Sequence, residues 1–258
     1  MSQLEYANAV RVFSLYHDRQ ITLTDLTPAR PASTVIVLRA GDPFEILMVR
    51  RNDKVAFMGG SYVFPGGRVD DTDRPRAESR VRPASFRDLS DADEAAYRIA
   101  AVRELKEEAN VDITVDDLHP FAHWVTPEIE IRRYDTRFFL ARMPDGQIAR
   151  HDNSETTALE WLSPKEAIAR FDRGELLLPP PTYTSIRQLT PRTSIDNALE
   201  WARGRAIPRI MPGFFKDGDV ATLTLPGDPL FPTIPDWEVP EETRFVLQDG
   251  ARWQPSKA

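Results

Sequence analysis

Glu104, Glu107 and Glu108 stand together in the stretch EAAYRIAAVRELKEEANV, Glu94 to Val111. An α-helix turning about 100° per residue would project all three carboxylates from one side. Carboxylates crowded in this way repel one another, and Lys106, the one lysine among them, points elsewhere. A hard divalent cation removes the repulsion. Magnesium and manganese take oxygen ligands and keep positions for water and substrate phosphates. The competing reading is a solvated acidic helix face, and taken alone the run favours it. Arg103 lies four residues before Glu107, close enough for an ion pair. Ile99, Val102, Leu105 and Ala109 fall on roughly the opposite side and are expected to face a core. Ser90 followed by Asp93 fits a capping box at the helix start.

Other elements must bring a second group to this helix. Upstream, Ser33–Ala40 (STVIVLRA) and Phe44–Arg50 (FEILMVR) are β-rich runs separated by Gly41-Asp42-Pro43, which is a hairpin signal. Tyr62-Val63-Phe64 reads as a short buried strand. Pro65-Gly66-Gly67 then forces an abrupt change of direction, with glycines where backbone must approach something closely. Asp70, Asp71 and Asp73 follow. A PGG corner followed by acids is common in loops; the glutamate run downstream gives it weight.

Taken together, these residues resemble the Nudix hydrolase signature, G-x5-E-x7-R-E-U-x-E-E-x-G-U, with U apolar. Arg103-Glu104-Leu105-Lys106-Glu107-Glu108-Ala109-Asn110-Val111 matches the second half, with Asn110 in place of glycine. Asparagine tolerates a left-handed backbone, so the helix can still end there. Gly67 matches the opening glycine, and Asp73 stands where the first glutamate belongs. The gap from Asp73 to Arg103 is far longer than the signature allows, so the signature is split by an insertion, Arg74–Leu89. The insertion carries Arg74, Arg76, Arg80, Arg82 and Arg87. It reads either as a solvated surface loop or as a basic lip that grips phosphates. The split form resembles a Nudix subgroup that includes the peroxisomal coenzyme A diphosphatase and its bacterial relatives. The resemblance runs from about Ser33 to Phe171.

That resemblance implies an α/β/α sandwich with a mixed sheet, extended at both ends. It implies hydrolysis of a diphosphate linkage with Mg2+ or Mn2+ as cofactor. Glu104, Glu107 and Glu108 are the expected metal ligands, joined by the Gly66 carbonyl and by Glu155, seven residues before Leu162. The alternative to metal binding by all three is that Glu104 works instead as general base, and Arg103 orients the carboxylates. Substrate contacts are expected from Arg50, Arg51, Gly67, Asp70 and Asp73. Leu47–Arg51 only partly echoes the pattern that marks coenzyme A-specific Nudix enzymes. The implied substrate is coenzyme A or acyl-coenzyme A. The alternatives are another nucleotide, such as a dinucleotide or nucleotide sugar, and a non-catalytic ligand sensor on the same scaffold.

Composition bounds the rest. A length of 258 residues with 41% hydrophobic content supports one substantial core with extensions. A net charge of −7 argues against broad nucleic-acid binding. The absence of cysteine excludes disulfides and thiol chemistry. No apolar run is long enough to span a membrane, and MSQLEYANAVRVF lacks the pattern of a signal peptide. These features fit a cytoplasmic protein. The organisation read from sequence is an N-terminal extension (1–32), a catalytic domain (33–175) and a proline-rich C-terminal extension (176–258). That last segment would pack on the core, close the site or make a homodimer contact. Phe121–Thr126 and Arg137–Met143 are strand candidates, with EIEIRRYD between them as a solvated hairpin and His123 as a half-buried strand histidine. Ser163-Pro164-Lys165-Glu166 and SIDNALEWAR are capped helix starts. Val220–Leu225 and Arg244–Leu247 are short strands, and Asp249-Gly250 is a turn.

Overall fold

The unbroken β-branched run Thr34-Val35-Ile36-Val37 builds β1 (Arg30–Arg39), which pairs antiparallel with β2 (Glu45–Arg51) through Leu38 opposite Ile46. The computed structural model describes residues 27–53, 59–75, 85–151, 156–217, 220–248 and 252–256. Residues 1–26 of the N-terminal extension and the candidate ligand Glu155 lie outside them. β3 (Tyr62–Val63) and β4 (Gly66–Arg68) flank the PGG corner, followed by a 3-10 turn at Asp71–Asp73 and helix α1 (Asp91–Ala109). Next come β5 (His119–Val125), β6 (Tyr134–Arg142), β7 (Thr156–Leu162), and helices α2 (Pro164–Asp172), α3 (Pro180–Leu189) and α4 (Ile195–Arg203). The chain closes with β8 (Arg209–Ile210), β9 (Gly213–Asp217), β10 (Val220–Thr224), β11 (Arg244–Gln248) and β12 (Arg252–Ser256).

Packing divides the chain into two compact units. One comprises Arg30–His123 and Thr136–Ile207; the other comprises Trp124–Asp135, the residues from Pro208 onward, and the described residues before Arg30. Helices α3 and α4 fall in the first of these units.

In the first unit the strands run β3-β2-β1-β6-β5, with β4 on β1 and β7 on β2. Val35, Val37 and Leu47 pack with Tyr97, Ala101, Leu105 and Ala109 of α1. The alternate residues Ile36, Leu38, Ile46 and Met48 are equally buried, so both sheet faces are covered. Glu160 is opposite Met48 and thus lies on the face away from α1. Arg170 of α2 bonds to it there, and Tyr62 donates to it at 2.6 Å. Burial and the Glu160 carboxylate push the Tyr62 hydroxyl up to about 12. One sheet face thus holds α1 and the other α2, which gives the expected α/β/α layering.

Helix α1 starts and stops as its sequence implies. Ser90 Oγ accepts from the Asp93 N–H at 3.1 Å, and Asn110 adopts φ 54°, ψ 37° in the left-handed region. Its buried ridge runs Tyr97-Ala101-Leu105-Ala109, the i, i+4 row, whereas Ile99 is only partly buried. Glu94 and Arg98, also buried, form an ion pair at 2.7 Å. Glu94 accepts from the Ser85 and Phe86 N–H groups, and Arg98 donates to the Leu118 carbonyl.

The end of the insertion is not a solvated loop. Phe86 is 1% exposed and meets Phe139 edge-on at 5.7 Å. Asp88 takes two bonds from buried Arg137, at 3.0 and 2.8 Å. His123 is fully buried rather than half-buried, with Nδ1 against Arg137 Nη1. Arg76, Arg80 and Arg82 lie outside the described residues.

In the second unit β9 to β12 form an antiparallel sheet in the order β12-β11-β10-β9. Asp249-Gly250 lies outside the described residues, but β11 and β12 on either side of it pair antiparallel. Arg133, expected in a solvated hairpin, is buried and donates to the Thr27 and Thr126 carbonyls. Among the described residues no helix is long and apolar enough to cross a membrane.

Candidate active site

Strand register brings separate segments to one edge of the sheet. β2 ends at Arg51, which pairs with Thr156 at the start of β7. β3 lies beside that end, with Arg50 opposite Tyr62. The chain then turns at Pro65, whose carbonyl accepts from the Val35 N–H at 2.9 Å. β4 returns along the start of β1, with Gly66 opposite Thr34 and Gly67 opposite Ser33. Arg50, Arg51, the glycine corner and the start of β7 therefore share one edge.

Helix α1 lays its acidic face on this corner. The Gly66 N–H donates to Glu108 Oε2 at 2.9 Å, and Glu108 is 5% exposed. A Cβ on Gly67 would lie 2.5 Å from the carboxyl carbon and both oxygens of Glu104. Only glycine leaves that carboxylate its place. Glu107 sits further out, 58% exposed. Lys106 turns away to Asp112 at 2.7 Å, as the helix geometry requires.

Arg103 holds the cluster in register. Its Nη1 donates to Glu104 Oε1 at 2.8 Å and to Glu107 Oε2 at 2.9 Å. Its Nη2 donates to the Arg68 carbonyl and to Asp73 Oδ2, both at 2.9 Å, and its Nε donates to Asp73 Oδ1 at 3.0 Å. Asp73 is 2% exposed and also accepts from the Asp70 N–H at 2.8 Å. Burial drives the Asp73 carboxyl upward, but the Arg103 hydrogen bonds, the Asp70 N–H and the Arg103 charge outweigh it and hold the group below the usual carboxylate range. The hydrogen bonds that Arg103 donates to Asp73 and Glu104, with the charges of those carboxylates, raise it against the cost of its burial, so it stays cationic.

The other candidates are placed less centrally. Arg50 is tied to Asp53 at 2.8 Å and to Thr157 Oγ1 at 3.2 Å. Arg51 is partly buried, and among the described residues its Nε has no hydrogen-bond partner. Asp70 is half exposed, 3.7 Å from Arg68. Sequence reading missed Asp53, Thr157 and the Arg68 carbonyl. Asp53 alone carried a local signal, three residues after Arg50 at a turn.

A family model for the NUDIX domain matches residues 28–179, more than half of the chain. The chain belongs to the Nudix family. Its relatives include the acyl-coenzyme A diphosphatase NUDT19 of Homo sapiens, 25% identical over an alignment that covers 89% of this chain and 83% of the human protein. The protein of the same name from Gallus gallus is 26% identical, with 75% of this chain and 74% of that one covered. The crystal structure of a Nudix hydrolase from Alicyclobacillus acidocaldarius superposes with a TM-score of 0.57 at 23% identity, covering 67% of this chain and 96% of that one. At that identity it bears on the fold alone.

Nudix hydrolases generally use divalent metals, and the donors of this Nudix box suit one. They are hard oxygens, and the Gly67 cradle presents one carboxylate where any side chain would displace it. Among the described residues, no three acidic or imidazole side chains are yet gathered as an ion cage. Arg103 draws Glu104 and Glu107 together through one nitrogen, while Glu108 leans on the backbone.

Proposed function

We propose that this Nudix protein hydrolyses the diphosphate linkage of coenzyme A or acyl-coenzyme A, giving 3′,5′-adenosine diphosphate and a phosphopantetheine product. The observation that carries the hydrolytic reading is the seating of Glu104 and Glu108 against Gly67 and Gly66. Support for the substrate comes from the relatives named acyl-coenzyme A diphosphatase, which align over most of their length.

Glu104, Glu107 and Glu108, with the Gly66 carbonyl and Glu155, would hold magnesium or manganese. The chemistry such an ion supplies is neutralisation of anhydride oxygens and a lowered pKa for water. The protein's own part is positioning. The Gly66 N–H fixes the rotation of Glu108, and Arg103 aligns Glu104 with Glu107. Glu104, partly sheltered at 13% exposure, would in place of metal binding serve as the general base that accepts a proton from the attacking water. Arg50 and Arg51 at the sheet edge offer guanidinium groups to substrate phosphates. Asp73 has both oxygens committed to Arg103 and its own turn. Its part is therefore to hold Arg103 rather than to touch substrate.

The test is product identification by mass spectrometry after incubating purified protein with manganese and a panel of diphosphates that includes coenzyme A. Expected products from coenzyme A are 3′,5′-adenosine diphosphate and phosphopantetheine. Cleavage of a dinucleotide or nucleotide sugar instead would reassign the substrate, and no cleavage of any member would favour a ligand sensor. Glu107→Gln and Glu108→Gln should each abolish turnover while leaving the melting temperature near wild type. Full turnover in either variant removes that residue from the site.

A further inference from the structure

Ser33 lies directly opposite Gly67 on β1. Opposed residues of an antiparallel pair share a face, with Cβ positions about 5 Å apart. Val35 and Val37, two and four residues on, pack in the cluster that contains Leu105 and Ala109 of α1. Ser33 therefore points to the side of the sheet on which α1 lies. A Cβ on Gly67 would point the same way and reach the Glu104 carboxylate at 2.5 Å. The Ser33 hydroxyl thus belongs to the floor beneath that carboxylate. Ser33 is 0% exposed, and among the described residues its Oγ has no hydrogen-bond partner. Buried hydroxyls without partners are rare and costly. For packing alone alanine would serve better, since it fills nearly the same space without an orphaned polar atom.

We propose that Ser33 is a positioning residue of the hydrolytic site. Its Oγ–H donates to the Glu104 carboxylate and fixes that group's rotation when a divalent cation draws it away from Arg103. The inference rests on the diphosphatase reading above. It gives the hydroxyl, unpartnered among the described residues, a partner in the loaded enzyme.

A packing role and a positioning role predict opposite signs. The experiment measures Mn2+ binding to the full-length protein by electron paramagnetic resonance, without substrate, alongside thermal unfolding. Ser33→Ala should melt at or above the wild-type temperature, because an unsatisfied buried group is removed. Its Mn2+ affinity should fall about tenfold or more, the usual effect of losing a group that orients a ligand. Ser33→Cys keeps the shape but donates weakly, and should bind Mn2+ as poorly as Ser33→Ala. Unchanged affinity in Ser33→Ala overturns the proposal, as does a lowered melting temperature with affinity intact. A wild-type protein that binds no Mn2+ overturns the diphosphatase reading and this inference together. Wild-type binding matched by both variants overturns this inference alone.

Discussion

A methyl group added at Gly67 would sit 2.5 Å from the carboxyl carbon and both oxygens of Glu104, whereas ordinary contact begins at 3.4 Å, so the carboxylate must retreat by about 0.9 Å. What moves is the far end of a flexible side chain. The expected penalty is that of one off-rotamer torsion, about 1 kcal/mol. Misplacing a catalytic group by about 1 Å costs on the order of 100-fold in rate. Gly67→Ala should therefore fold almost normally and lose roughly 100-fold in kcat/KM. The neighbouring position behaves in the opposite way. A Cβ on Gly66 would lie 2.3 Å from the Ser33 carbonyl and 2.7 Å from the Thr34 Cα. Those atoms belong to the paired backbone of β1 and cannot yield locally. Overpacking of this kind costs about 3 kcal/mol, which lowers the melting temperature by roughly 6–12 °C. Thermal melts by circular dichroism and manganese-dependent cleavage of coenzyme A measure both effects on the same preparations. A Gly67→Ala protein with wild-type kcat/KM would show that Glu104 has no need of the corner. An unchanged melting temperature for Gly66→Ala would contradict the β1–β4 register.

Asp73→Asn keeps the shape of the turn but removes the charge held by Arg103, and should cost about 2 kcal/mol in urea unfolding. Because the folded-state pKa of Asp73 is depressed, its ionised form contributes fully above the unfolded value of about 4. That contribution is lost as pH falls below this value through the folded pKa. Wild-type stability should accordingly drop more steeply below pH ~4 than that of Asp73→Asn. Parallel profiles would remove Asp73 from the linkage. Phe86→Ala empties a fully buried ring site in the root of the insertion and should cost about 3–5 kcal/mol. A loss near zero in a thermal melt would mean that this end of the insertion is not part of the core.

Helix α1 was readable because its signals are local. Ser90 and Asp93 cap the start, the apolar spacing marks a buried side, and Asn110 supplies the left-handed stop. The glycine corner was readable for a similar reason: two glycines and a proline leave few backbone paths. Phe86 was not readable, since one aromatic residue in an arginine-rich segment carries no periodicity that would mark it as core. The Glu94–Arg98 pair looks like any exposed i, i+4 ion pair on a helix. Its burial follows from tertiary contacts, the Ser85 and Phe86 N–H groups that need an acceptor and the Leu118 carbonyl that needs a donor. Arg133 misled in the same way, because its carbonyl partners lie at Thr27 and Thr126 and no local pattern announces them. Arg50 bonds to Thr157, 107 positions away, which only the β2–β7 register can bring near.

The length of the insertion is a smaller obstacle to the Nudix box than the sequence suggests. Asp73 and Arg103 are 30 positions apart, where the signature separates the equivalent residues by eight. Closing the longer connection costs only about 1 kcal/mol more in chain entropy. Much of the added length is not loop at all: α1 begins at Asp91, so three turns of helix precede Arg103. Both roots of what remains are fixed to the first turn of that helix. Arg74 pairs with Asp93 at 3.5 Å on the way in, and Glu94 caps Ser85 and Phe86 on the way out. The burial of Phe86 alone offsets the closure cost, at roughly 2 kcal/mol. On the function proposed above, chemistry at this site depends on the distance from the glycine corner to Glu104 and Glu108. That distance is set by the Gly66–Glu108 bond and the Asp73–Arg103 latch, neither of which the insertion carries. The chain between the two halves of the box is free to lengthen because the contacts that hold the halves together lie outside it.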